Sequence, residues 1–133
     1  MISVFLGFQD GQLHLNAQGH APGGNSRPGD SKINADGFNL ACAGFTAIVK
    51  TFEYSVSALC RMRILEKREE SGLLDILWEK EQNGNALAPD AGMDGSRHSL
   101  LVLVRSLQIG CEGLNMNYPG VLQYRLELNE LVK

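Results

Sequence analysis

The sequence predicts an α+β fold, a mixed or antiparallel sheet with two long helices packed on one face, in the order β-β-α-β-β-α-β. Three observations carry this expectation. Several short runs alternate strictly between apolar and polar residues, the period of a half-buried strand. Asp10-Gly11 and Asn83-Gly84 are tight-turn dipeptides placed between such runs. Two long segments carry apolar residues at three- and four-residue spacing, a single stripe each, as helices lying on a sheet require. No linker or internal repeat divides the chain, so residues 1–133 read as one domain large enough to build its own core.

Residues 2–8 and 12–19 form the first expected hairpin. In its second strand Leu13, Leu15 and Ala17 alternate with Gln12, His14, Asn16 and Gln18, giving one buried and one wet face. His20 continues the wet-face parity where the strand runs out, and Gly19 beside it tolerates backbone angles that suit a sharp exit. Residues 22–36 are rich in Gly, Pro, Ser and Asn and almost devoid of apolar side chains, so they read as a flexible loop. It is either a lid over a site or an insertion without a role.

The first helix is expected from residue 40 or 42 to 66, with a stripe of Phe45, Ile48, Val49, Phe52, Val56, Leu59, Cys60 and Arg63. The mixed-sign run Glu66-Lys67-Arg68-Glu69-Glu70 reads as its solvated end. A strand at 73–80 turns Leu74, Ile76 and Trp78 the same way, and a shorter one is expected at 85–88. Asp94 or Ser96 could cap the second helix, whose stripe is Leu100, Leu101, Val104, Leu107, Cys111 and Leu114. Leu122, Tyr124, Leu126 and Leu128 alternate through a last strand.

Composition narrows the function classes. Twelve Lys and Arg against 15 Asp and Glu give a net charge of −3, without the basic excess of a protein that grips phosphates, so no direct nucleic-acid binding is expected. No apolar run approaches the roughly 20 residues that span a bilayer, and the N-terminus lacks a basic start and cleavage site. Cys42, Cys60 and Cys111 cannot all pair, and they show neither CxxC spacing nor clustering with histidine. A reducing, cytoplasmic setting fits them, with no metal site. A glycine-rich phosphate loop is also missing, so no cofactor is expected.

The chemistry centres on Gly19-His20-Ala21 and Cys42-Ala43-Gly44. A thiol at a helix start would sit among free N–H groups and the positive end of the helix dipole, a setting that favours thiolate. An imidazole brought to it would complete the pair that a cysteine hydrolase needs. The small neighbours Ala41, Ala43 and Gly44 would let a substrate backbone approach the sulfur. Equally, Cys42 could be a buried residue at a helix start and His20 a solvent-facing strand end. Asn39 could cap the helix or orient the imidazole. His14 reads as plain surface, and His98 as a weak rival base near the start of the second helix.

These two tripeptides, the loop between them, the long helix that follows and the Ser106-Leu107-Gln108 segment resemble the ribosomal-processing cysteine proteases known as Prp. The resemblance implies a catalytic dyad of His20 and Cys42. It also implies removal of a short N-terminal extension from a large-subunit ribosomal protein, with cleavage after a bulky apolar residue, and a homodimer. Asn39 stands where the family carries aspartate, and the loop from 21 to 41 is longer than is usual there. The alternative is a catalytically silent, ribosome-associated binding module of the same fold, with Cys42 inert in the core.

Overall fold

The computed structural model describes residues 1–19, 35–81 and 91–132. The elements run β1 (Ile2–Gln9), β2 (Gln12–Gln18), α1 (Ala35–Leu59), β3 (Met62–Glu70), β4 (Leu73–Lys80), α2 (Ala91–Asn117), β5 (Leu122–Glu127) and a short α3 (Asn129–Val132). The five strands form one sheet in the order β3-β4-β2-β1-β5, antiparallel except where β5 runs parallel to β1. The expected α+β class, the mixed sheet and the element order are all present.

The core is one layer between sheet and helices. Ile2, Val4, Leu6 and Phe8 of β1, Leu13, Leu15 and Ala17 of β2, and Leu74, Ile76 and Trp78 of β4 point to the same side and are buried. Against them lie Cys42, Phe45, Val49, Phe52 and Val56 of α1 and Leu100, Val104, Leu107 and Cys111 of α2. Both helices therefore cover one face, and among the described residues no helix covers the opposite face of the sheet. The helices approach each other closely at two glycines: a Cβ on Gly44 would lie 3.3 Å from Leu114, and one on Gly110 would lie 3.2 Å from Ile48. Packing between helices thus explains Gly44, where the sequence alone suggested room for a substrate.

Turn chemistry is legible in the backbone. Asp10 and Gly11 both adopt positive φ, at 54° and 76°, as a two-residue hairpin loop requires. Gly19 ends β2 at φ 86°, and a Cβ there would lie 2.2 Å from the carbonyl oxygen of Met1. Its N–H donates to Gly72 O at 2.9 Å, so the chain leaves the sheet at a position that only glycine fits.

Three boundaries differ from expectation. The first helix ends at Leu59, and residues 62–70, expected to be its last turns and solvated end, form edge strand β3 instead. Arg61, at φ 49°, breaks the helix, and Arg63, expected on the helical stripe, pairs across the sheet with Lys80's neighbour Glu79. Only Met62 of this strand is buried, so no alternating pattern marks it. Both helices also begin earlier than expected, at Ala35 and Ala91. Asn39, Asp94 and Ser96 consequently lie inside helices and are not N-caps. The expected strand at 85–88 and its Asn83-Gly84 turn fall outside the described residues.

Edge strand β3 is fastened to α1 by charge. Glu53 is 3% exposed and meets Lys67 at 2.6 Å and Lys50 at 3.0 Å, while Lys50 reaches Glu69 at 2.8 Å. The hydrogen bond to Glu69 and then the Glu53 carboxylate hold the Lys50 ammonium well above its ordinary range, against the opposing effect of burial. A carboxylate buried this far is tolerated because both lysines compensate it.

Candidate functional site

The structure describes one half of the expected dyad. His20 lies outside the described residues. Cys42 lies on the sheet-facing stripe of α1, 0% exposed, between Ala41 and Phe45 in the core. Its carbonyl accepts the Thr46 hydroxyl at 2.8 Å, a bond within the helix.

One expectation about this thiol is corrected. Cys42 is not at a helix N-terminus; it follows the start of α1 at Ala35 by seven residues. The unpaired N–H groups of a helix belong to its first four residues, and the dipole's influence fades within the first turn. In this state neither the dipole nor free amides act on the sulfur, and the Cys42 amide is not an oxyanion donor. The other two thiols are core residues, as expected: burial pushes Cys60 up to about 11, and burial followed by the Glu112 charge does the same for Cys111. Neither is a thiolate at neutral pH.

A second group of chemistry-bearing side chains sits on the open face of the sheet, and the sequence did not reveal it. His14 Nε2 and Asp75 Oδ1 are 2.7 Å apart, and Asn16 Nδ2 donates to the same oxygen at 2.9 Å. Gln18 donates to Asn16 Oδ1 at 2.8 Å, extending the chain of bonds along β2. Register explains the meeting: His14 lies opposite Leu77 and Asn16 opposite Asp75, so the imidazole reaches the carboxylate diagonally across β2 and β4. On the other side His14 pairs with Gly7, and the Phe5 ring lies over that bare position, edge-on to the imidazole at 5.8 Å. His14 is thus oriented on two sides and is not plain surface. His14, Asp75 and Phe5, with Phe8, Glu66 and Leu77, line an open groove of about 890 Å³. Among the described residues no group of His, Cys, Asp and Glu could hold a metal ion. His98 is exposed on α2.

The Asp75 carboxyl is held below its ordinary value. Burial acts to raise it, and is outweighed by the hydrogen bonds from Asn16 and His14 together with the nearby positive charge. A depressed carboxyl contributes stability that is present above its unfolded value, near 3.9, and is lost as pH falls through the lower folded value. Asp75→Asn is therefore expected to lower stability at neutral pH and to flatten its fall below about pH 4. Circular dichroism against pH for both proteins reads this directly; superimposable curves would show that the cluster carries no proton linkage.

The architecture defines a class: a two-layer α+β domain in which, among the described residues, the two long helices cover one face of a five-stranded mixed sheet. No family model matches the sequence, and no curated protein matches it. The fold is similar to that of the essential ribosomal processing protease Prp of S. aureus, solved with a substrate peptide. There the identity is 13% and the TM-score 0.59, over 96% of this chain and 100% of that one. It is similar also to SMU.848 of Streptococcus mutans, at 18% identity and a TM-score of 0.57, over 96% and 97% of the two chains. The likeness to Prp read from the sequence is supported at the level of the fold alone. Among the described residues no helix is long and apolar enough to cross a membrane.

Proposed function

We propose that this chain is a cysteine endopeptidase that trims a short N-terminal extension from a large-subunit ribosomal protein, with Cys42 as nucleophile and His20 as base. The observation that supports it is the fold, shared over nearly the whole chain with a ribosomal processing protease solved holding a substrate peptide. His20 takes the thiol proton as Sγ attacks the scissile carbonyl. The C–N bond then breaks, and the departing amine receives that proton. Water activated by His20 next attacks the thioester, releasing the acid and restoring the thiol. We place this work in the cytoplasm, with the precursor and a second copy of the chain as partners and no role for nucleic acid or membrane.

A sulfur sealed on the core stripe cannot meet a peptide, so the reaction requires the first turns of α1 to move. Unwinding residues 35–41 would bring the helix start to Cys42, uncover Sγ and free the amides that stabilise an oxyanion. Asp36, Gly37 and Asn39, all weak helix formers, occupy those turns. The same burial favours a second reading, a catalytically silent binding module in which Cys42 is core.

Site-resolved iodoacetamide labelling against pH separates the two. A protease is expected to label at Cys42 near neutral pH and to lose that labelling in His20→Ala, while Cys60 and Cys111 stay protected. Labelling of Cys42 only above about 8.5, the free-thiol value, or only after unfolding, would leave the binding module.

A further inference from the structure

We propose that the sheet face opposite the helices is a docking groove for an extended, arginine-bearing peptide segment of a partner protein. The register lays its chemistry out across the strands. Glu66 of β3 stands beside Leu77 of β4, Leu77 beside His14 of β2, His14 beside Gly7 of β1, and Gly7 beside Glu127 of β5. All five line the groove. With neighbouring strands about 4.8 Å apart, the row is roughly 19 Å long, the reach of about six extended residues. A single amino acid would fill only part of it.

The groove offers acceptors and no cation. Among the described residues that line it there is neither lysine nor arginine, while Glu66, Asp75 and Glu127 are acidic. The cations around it are already answered: Arg63 by Glu79, Lys67 by Glu53, Arg68 by Glu70 and Arg125 by Glu127. Among the described residues Glu66 has no such partner. The bonds from Asn16 and His14 both end on Asp75 Oδ1, which leaves Oδ2 to accept from a ligand. An ionised carboxylate only accepts, so His14 Nε2 carries the proton of its bond to Asp75, and the neutral ring presents Nδ1 as a further acceptor.

This set selects its occupant. Acceptors on both sides of an apolar step call for a donor-rich cation on an apolar stem. Arginine has that form, with five N–H groups in one plane at the end of a methylene chain. Leu77 lies between Glu66 and His14, where the stem would rest. The guanidinium would then reach Glu66 on one side, or Asp75 and His14 on the other. The Phe5 ring lies over Gly7 and gives the groove a flat apolar floor; a Cβ at Gly7 would lie 2.9 Å from that ring, so glycine keeps it in place. An anionic ligand would meet like charge from the same carboxylates. The groove is on the face away from Cys42, so docking there neither needs nor blocks peptide cleavage, and the two readings fail separately.

Fluorescence anisotropy on the full chain tests it, with a labelled peptide of about nine residues alternating arginine and threonine. Thermal melts confirm that each variant folds. Binding is expected at micromolar concentration in low salt and should weaken as salt rises. Glu66→Gln and Asp75→Asn should each raise the dissociation constant about fivefold or more. Glu66 has no partner to lose, so its variant should melt as the wild type does and carries the test if Asp75→Asn proves unstable. Glu112→Gln, in the helix layer, should change nothing, which separates a groove from general attraction to an acidic chain. The same peptide with lysine for arginine should bind about fivefold more weakly. No saturable binding up to about 100 µM, binding indifferent to Glu66→Gln, an equal loss in Glu112→Gln, or equal binding of the lysine peptide would each overturn the proposal.

Discussion

Cys42→Ala is expected to lower cleavage of the ribosomal-protein extension by about 10³-fold or more while leaving a folded, cooperatively melting protein. The large kinetic effect follows from the proposed chemistry, in which Sγ forms the acyl-enzyme and no other described thiol can take its place. Cys60 and Cys111 are buried and pushed up to about 11. The small structural effect follows from size: alanine deletes one heavy atom from a fully buried site, a loss of roughly 1 kcal/mol. The measurement is mass spectrometry of a peptide carrying the extension of the cognate precursor, beside a thermal melt. Undiminished cleavage in the variant would move the chemistry elsewhere in the chain. A wild type that binds the peptide without cutting it would establish the silent module.

Trp78→Ala is expected to remove about 3–5 kcal/mol of folding stability, a large share of what a domain of this size holds. Trp78 is fully buried at the centre of β4, stands edge-on to Phe52 at 6.2 Å, and donates its indole N–H to Ser57 at 3.2 Å. It joins the sheet to α1 through both an aromatic contact and a satisfied polar group. Trp78→Phe keeps a ring and loses the hydrogen bond, so its cost should be only about 1–2 kcal/mol. Urea unfolding of the two variants checks the order. A loss below about 1 kcal/mol for alanine would mean that the core collapses around the hole.

Much of this architecture is readable from residue order alone, because the elements that bury a face announce it. Leu13, Leu15 and Ala17 alternate and are buried; Phe45, Val49, Phe52 and Val56 recur helically and are buried. Asp10-Gly11 takes the positive φ values its composition suggests. Edge strand β3 was misread for the opposite reason. After Met62 every residue is exposed, its charges resemble a helix end, and the break at Arg61 has no glycine or proline to mark it. Helix starts were placed late because the first turns of α1 and α2 carry glycine and aspartate, which weaken helices.

The site was legible only in part. A thiol and an imidazole in suggestive tripeptides are visible as letters, but the depth of Cys42 depends on where α1 begins, and the sequence placed that start too late. His14 meets Asp75 across 61 residues of chain, a separation at which no local pattern signals contact. Gly44, which looked like access to a sulfur, is where Leu114 packs.

The parallel pairing of β5 with β1 has a consequence for how the molecule assembles. Ile2 lines up with Leu122 and Gly7 with Glu127, so during synthesis β1 waits for a partner strand 120 residues further along the chain. Until then the hydrogen-bonding rim of β1 is bare, a template for strangers as well as for its own partner. Contacts this distant in sequence also form slowly. The nascent chain therefore passes through a vulnerable interval, in which a chaperone that covers this rim should raise the yield of folded protein.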